Sequence, residues 1–243
     1  MASRSRPLVE IWAAEASASE PGALEHRCRQ WLTPEEWEGA LRLRQPSSRN
    51  QHVVGRGMVR KLLTLRTDFD PKEVVLDRAE KGKPFVVAPE AVNRPFNVSH
   101  TEGMVLFAAV DRGAIGVDVE RLSRKTDVGL AERYFAPAEV DYVFSARDPE
   151  QRMEAFLRVW TLKEAFIKAI GTGLTMPLGD FAFEQLDAVR PSVRMLNPKL
   201  TDDSNWQFIS FVPNPGYIAA VAIRDTGGEC HRDLRLQRFE TLL

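Results

Sequence analysis

Hydrophobic positions recur with a helical period at two places in the chain. Val159, Leu162, Phe166 and Ala169 follow a 3-4-3 spacing that marks one buried helical face, within a helix expected over 149–170. Trp160, Glu164 and Lys168 fall on a different stripe, and Gly171 and Gly173 follow as a helix stop and tight turn. Val53, Val54, Met58, Leu62 and Leu65 predict a second helix over 48–65, whose other faces carry Arg49, Arg56, Arg60 and Lys61 and should form a strongly basic solvent side. Thr33 followed by Pro34, Glu35 and Glu36 supplies an N-cap, a first-turn proline and acids, so a helix is expected from there to about Leu43.

Alternating or continuous apolar runs predict strands over 8–12, 74–76, 84–87, 104–110 and 114–120, with the lysine-rich turn at 81–83 leading into the third segment. Further helices are expected over 127–134 and 137–145, and further strands near 181–185, 207–212 and 217–223. Helices thus precede strands in each half, which predicts an α+β fold of two related lobes, 1–112 and 113–243, meeting at the turn 111–113. No residue-level repeat accompanies this alternation.

Composition narrows the classes. A chain of 243 residues with 44% hydrophobic side chains can bury a sizeable core, and 33 basic against 34 acidic residues leave no global excess suited to nucleic acid. Cys28 and Cys230 lie far apart without a CxxC spacing, which argues against a zinc site or a disulfide framework and for a reducing compartment. No apolar run approaches a membrane span, and the first residues lack a signal-peptide pattern. A cytoplasmic protein that binds neither membrane nor nucleic acid is expected.

Three fragments carry candidate chemistry. Glu164 and Lys168 stand four apart on one helix; as an exposed pair they would contribute only about 0.3 kcal/mol. On a strand, Asp118 and Glu120 point to one face, and two converging carboxylates suit Mg2+ completed by substrate phosphates. His100, in Asn97-Val98-Ser99-His100 at a strand or turn edge, can donate to a phosphate oxygen. Lys81 and Lys83, beside Pro84, add ammonium groups. A solvated polar sheet face, a backbone-bonded histidine and an exposed loop are the ordinary readings of these fragments taken singly. Together they match a site that binds a polyphosphate, its metal and a nucleophile to be deprotonated.

In their order and wording these segments resemble the 4'-phosphopantetheinyl transferases of the long, surfactin-synthetase-activating type. The resemblance rests on Gly82-Lys83-Pro84, Asn97 to His100, Gly116-Val117-Asp118-Val119-Glu120 and Trp160 to Lys168 with Gly171 and Gly173. It runs from about Trp31 to Tyr217, and the length is that of the two-lobed members. It implies a monomeric pseudo-dimer with the active site between its lobes. The implied reaction moves phosphopantetheine from coenzyme A to a serine of an apo acyl, peptidyl or aryl carrier protein, releasing adenosine 3',5'-bisphosphate.

Under that resemblance Asp118, Glu120 and Glu164 hold Mg2+, with Mn2+ as the alternative. Glu164, directly or through a metal-bound water, is the base for the carrier serine, and Lys168 stabilises or protonates the leaving phosphate. Asn97, Ser99 and His100 belong to the coenzyme A segment, with His100 on a phosphate. Lys81, Lys83 and Pro84 line the adenine and 3'-phosphate pocket, with Arg42, Arg49 and Arg78 nearby, and Lys163 is a further phosphate contact. The basic and apolar segment 121–144 resembles a docking surface for acidic carriers. Two other readings remain open on the sequence, a non-catalytic coenzyme A or carrier-binding module and a magnesium-dependent nucleotide hydrolase. The sequence does not name the carrier.

Overall fold

The computed structural model describes residues 8–171, 173, 176–200, 205–225 and 233–243. They divide into two units, the second beginning at Gly113. The first holds β1 (Leu8–Ala14), α1 (Ala23–Arg29), α2 (Pro34–Leu41), α3 (Pro46–Thr64), β2 (Val75–Arg78), β3 (Pro84–Ala88), β4 (Phe96–Thr101) and β5 (Met104–Ala109). The second holds β6 (Ala114–Arg121), α4 (Leu130–Tyr134), α5 (Pro137–Ser145), α6 (Pro149–Ile170), β7 (Phe181–Glu184), β8 (Ser192–Met195), β9 (Asn205–Phe211) and β10 (Tyr217–Asp225).

Both units follow one path: a strand, short helices, a long helix, a hairpin, then two strands. The sheet orders β1-β5-β4 and β6-β10-β9 correspond strand for strand, and every neighbour in them is antiparallel. The expected α+β class and related lobes are therefore present as a repeat of connectivity, without a repeat of residues. A last strand, β11 (Asp233–Arg238), breaks the correspondence. It pairs parallel to β1, Val9 facing Leu234 and Ile11 facing Leu236, and so belongs to the first unit instead of the 113–243 lobe expected from the sequence. A parallel partner this remote in sequence leaves no local signature.

Each unit buries its long helix against its sheet. Thr33 caps α2 reciprocally: its Oγ1 accepts from Glu36 N at 3.3 Å, and Glu36 Oε2 accepts from Thr33 N at 3.2 Å. In α3, by contrast, the expected basic solvent side is largely covered. Arg60 is buried, its Nε donating to Glu36 Oε2 at 2.7 Å and its Nη1 to the carbonyls of Val74 at 2.8 Å and Pro71 at 2.9 Å. That cover comes from α2 and from the 71–74 segment, which supply these partners, and another part of α3 is packed by α1. Cys28 of α1 lies so close to Gly57 of α3 that a Cβ there would stand 2.5 Å from the Cys28 Cβ.

In the second unit the predicted face of α6 is the core: Val159, Leu162 and Phe166 are fully buried. Phe166 meets Phe181 and Phe208 edge-on, with ring centroids 5.1 and 5.4 Å apart, which fixes the rotation of the helix about its axis. At Gly116 the backbones of α6 and β6 come close together. A Cβ at that position would lie 2.1 Å from the Ala165 carbonyl oxygen and 2.4 Å from the Ala169 nitrogen, so only glycine lets the helix backbone descend onto the strand. No helix among the described residues is long and apolar enough to cross a membrane.

Candidate active site

That close approach sets the geometry of the acidic cluster in the second unit. Asp148 starts α6, its Oδ1 accepting from Glu150 N at 2.8 Å and Gln151 N at 3.1 Å. Gly171 ends it in the left-handed conformation, φ 82°, donating to the Ile167 carbonyl at 2.8 Å. Lys168 and Glu164 thereby stand on the last turns of α6, over the stretch of β6 that follows Gly116. Lys168 Nζ donates to Asp118 Oδ1 at 2.6 Å, and this carboxylate is almost entirely buried. Glu120, two residues along the strand, forms an ion pair with Arg124. Glu164 is held above the ordinary carboxylate range, first by burial and then by the charge of Asp118, with Lys168 and Arg124 opposing.

The structure thus brings together Asp118, Glu164 and Lys168 as the sequence pattern anticipated, and adds Arg124. Trp160, one turn before Glu164, stacks on Phe156 at 5.9 Å and receives the Arg124 guanidinium at 6.0 Å from its ring centroid. Among the described residues no three His, Cys, Asp or Glu side chains form a ready-made metal set. The donor chemistry nevertheless fits a hard divalent cation. All three candidates are carboxylates, two on one strand and one on the helix packed upon it. Glu164 also experiences the repulsion from Asp118 that a divalent ion relieves.

In the first unit a different set of charges gathers. On β4, Asn97 and Ser99 are buried, whereas His100 is exposed. The β4 face with Val98 and His100 is the one α3 covers, since a Cβ on Gly55 would touch Val98 and Val105 at 3.7 Å. His52, on α3, is held below its ordinary pKa by burial first, then by Arg56, with His100 and Arg78 acting in the same direction. Arg56 is likewise lowered by burial and by Arg78 and Arg60, against Glu36. His52, Arg56, Arg78 and His100 therefore share one positive neighbourhood, which an anion would relieve.

Arg78 closes the hairpin turn, its Nη1 donating to the Gly82 carbonyl at 3.2 Å, and faces Pro84 across β2 and β3. Gly82 adopts φ 85°, the left-handed conformation that lets Lys81 and Lys83 flank the turn. Lys81 is exposed, with Glu80 at 3.7 Å. Sequence reasoning places Arg56 only on the basic face of its helix and does not single out His52, although their four-residue spacing on α3 beside Gly55 is a signal.

One expectation fails on geometry. Lys163 is fully buried, and its Nζ pairs with Glu139 at 2.8 Å and donates to the carbonyls of Leu178 and Phe181 at 2.7 Å each. With every donor directed into the core, it is a structural cation and not a phosphate contact. Arg42 lies in solvent at the end of α2, 4.0 Å from Glu38. Arg49 donates to the Leu43 carbonyl at 2.9 Å, tying down the turn before α3.

Comparison with known proteins bears on the same two regions. Residues 114–222 match the model of the 4'-phosphopantetheinyl transferase superfamily, and residues 23–112 match the N-terminal model of 4'-phosphopantetheinyl transferase. The chain is 32% identical over 199 residues to 4'-phosphopantetheinyl transferase HetI of Nostoc sp., covering 81% of this chain and 80% of that one. It is 30% identical over 219 residues to 4'-phosphopantetheinyl transferase ffp of Bacillus subtilis, covering 89% and 92%. With 4'-phosphopantetheinyl transferase Sfp of Bacillus subtilis strain 168 it shares 26% identity over 218 residues, at 89% and 92% coverage.

Proposed function

The chain belongs to the 4'-phosphopantetheinyl transferase superfamily and is an enzyme of that kind, and from that premise we propose a donor, an acceptor and a role for each residue of the site. The donor is coenzyme A and the acceptor a serine of an apo acyl, peptidyl or aryl carrier protein. The serine oxygen attacks the phosphorus that bears the pantetheine arm. The bond from that phosphorus to the bridging oxygen of the diphosphate breaks, and adenosine 3',5'-bisphosphate leaves. The serine proton passes to Glu164, the half-buried carboxylate of α6.

Asp118, Glu120 and Glu164 would hold Mg2+ or Mn2+, which supplies neutralisation of the diphosphate charge. Lys168 contributes the remaining positive charge from the last turn of α6, where it already faces Asp118, and stabilises the oxygen that leaves. In the first unit His52, Arg56, Arg78 and His100 receive the nucleotide phosphates, while Lys81, Lys83 and Pro84 border the adenine and 3'-phosphate. Asn97 and Ser99, buried on β4, belong to the same coenzyme A segment as His100. We assign the chain to act as a monomer.

The observation that carries this reading is the cluster on β6 and α6: one carboxylate ion-paired to Lys168, a second with a raised pKa, and a third at the strand end. A carboxylate perturbed by burial and by a neighbouring charge, beside a lysine, is more characteristic of catalytic sites than of plain binding surfaces, which favours this reading over a non-catalytic binding module.

Intact-mass measurement of apo carrier proteins, one of the fatty-acid type and one of the synthetase type, with this protein, coenzyme A and Mg2+ tests the proposal. A metal-dependent gain equal to the phosphopantetheine arm on either carrier supports it. Coenzyme A binding without any gain on carriers defeats it. Arg56→Ala is expected to raise KM for coenzyme A about tenfold or more with kcat little changed, from loss of a charge-assisted contact to phosphate. Steady-state kinetics over a coenzyme A series checks this, and an unchanged KM removes Arg56 from the anion site.

A further inference from the structure

Glu120 lies at the end of β6, its side chain only 12% exposed, whereas the arginine that pairs with it is 40% exposed. The chain returns sharply after the strand: Arg124 N donates to the Arg121 carbonyl at 3.0 Å, and Leu122 N donates to the Gly216 carbonyl at 2.8 Å. This turn folds Arg124 back over the carboxylate four residues earlier. The guanidinium has a second support, the ring of Trp160 on α6, 6.0 Å from its central carbon and one helical turn before Glu164. A carboxylate held inside and a cation half in solvent, with an aromatic face beside it, make a pair whose cationic member can leave while its acidic member stays.

We infer that Arg124 is a resident counter-cation that competes with a divalent metal for Glu120, moving onto the Trp160 face when metal takes the carboxylate, and that it thereby sets the metal affinity of the site. The inference rests on the reading of Asp118, Glu120 and Glu164 as the metal-binding carboxylates. Its electrostatic logic is local. Lys168 sits on Asp118 and Arg124 on Glu120, and each of these cations opposes a divalent ion by like charge and by occupying carboxylate oxygens. Lys168 grips a buried carboxylate at 2.6 Å, while Arg124 sits at the exposed edge, so Arg124 is the one displaced. A partly exposed ion pair is weak, so its competition is modest and tunable.

The test measures Mn2+ binding to the full chain, with no substrate present, by electron paramagnetic resonance of free Mn2+ and by calorimetry. Arg124→Gln is expected to bind Mn2+ about three- to tenfold more tightly than the unaltered protein, because a half-exposed ion pair no longer has to be broken. Lys125→Gln removes the same charge from an exposed side chain one residue further on and is expected to shift the affinity much less. Glu120→Gln is expected to weaken binding.

If Arg124→Gln binds Mn2+ no more tightly than the unaltered protein, or if Lys125→Gln tightens it equally, Arg124 is not a competitor for Glu120 and the inference is overturned. Glu120→Gln tells the two failures apart. Weakened binding there, with no gain in Arg124→Gln, overturns the role of Arg124 alone. Unchanged binding in Glu120→Gln removes Glu120 from the metal site and the inference with it. Because Arg124 lies half in solvent, its variant is expected to keep the thermal unfolding temperature of the unaltered protein, which circular dichroism verifies.

Discussion

Replacing Glu164 with glutamine is expected to suppress transfer by about two to four orders of magnitude, the range contributed by a positioned general base, while leaving coenzyme A binding largely intact. Glutamine keeps the size of the side chain and its place on α6, so the neighbouring packing of Ala165 and Phe166 is retained. What it removes is the ability to accept the serine proton and one negative donor oxygen for the metal. Time courses of carrier modification by intact mass, together with calorimetric titration of coenzyme A, separate the two properties. Transfer at a near-normal rate in this variant excludes Glu164 as the base.

The same substitution carries an opposite expectation for stability. Glu164 is raised above its ordinary range by burial and by Asp118. A carboxyl whose folded pKa lies above its unfolded value binds its proton more tightly when folded. Its contribution to stability is therefore greatest below the ordinary carboxylate range and is lost as pH rises through the raised folded value. Above that raised value, in the absence of metal, the ionised group opposes folding, so there the neutral amide is expected to unfold at a higher urea concentration than the unaltered protein. Such an exchange of stability for a charged group where chemistry needs it is a familiar property of catalytic sites.

Lys163→Met is expected to cost about 3–5 kcal/mol of stability, because it leaves Glu139 buried without its cation. Glu139 is fully enclosed and serves three elements at once. Its oxygens accept from Ala136 N at 2.9 Å, at the start of α5, and from Phe183 N at 2.8 Å, on β7, as well as from the α6 lysine. Removing the lysine also strands the carbonyls of Leu178 and Phe181, which it bonds. Equilibrium urea unfolding measures the loss. The double variant Lys163→Met, Glu139→Gln is expected to recover a large part of it, since the uncompensated charge is then gone. A single variant as stable as the unaltered protein would mean that the buried Glu139 does not need Lys163 as its partner.

The position of Lys163 shows where reading along the chain stops. It is adjacent to Glu164 and follows Trp160 by three residues, so a helical wheel places it beside the polar stripe, and the family motif invites a phosphate role. Its true surroundings come from Leu178, Phe181 and Glu139, all contributed by other elements. The positive neighbourhood of the first unit was hidden for the same reason. Arg56 reads as part of a basic solvent face and His52 draws no notice along the chain, and only the packing of α3 over β4 sets them among the same charges as His100 and Arg78.

The sequence by itself determined what depends on neighbours within a few residues. The helical spacing of Val159 to Ala169 placed Glu164 and Lys168 on one stripe, strand alternation put Asp118 and Glu120 on one face, and Thr33 marked a helix start, because rise and rotation per residue are fixed by the backbone. Tertiary structure alone decided which of these local faces meet. It brought Lys168 within 2.6 Å of Asp118 across the glycine contact at Gly116, drew the C-terminal strand beside β1, and enclosed Arg60 and Lys163 in the interior. Those outcomes follow from burial and charge compensation summed over segments distant in the chain, and no window along the sequence contains both partners.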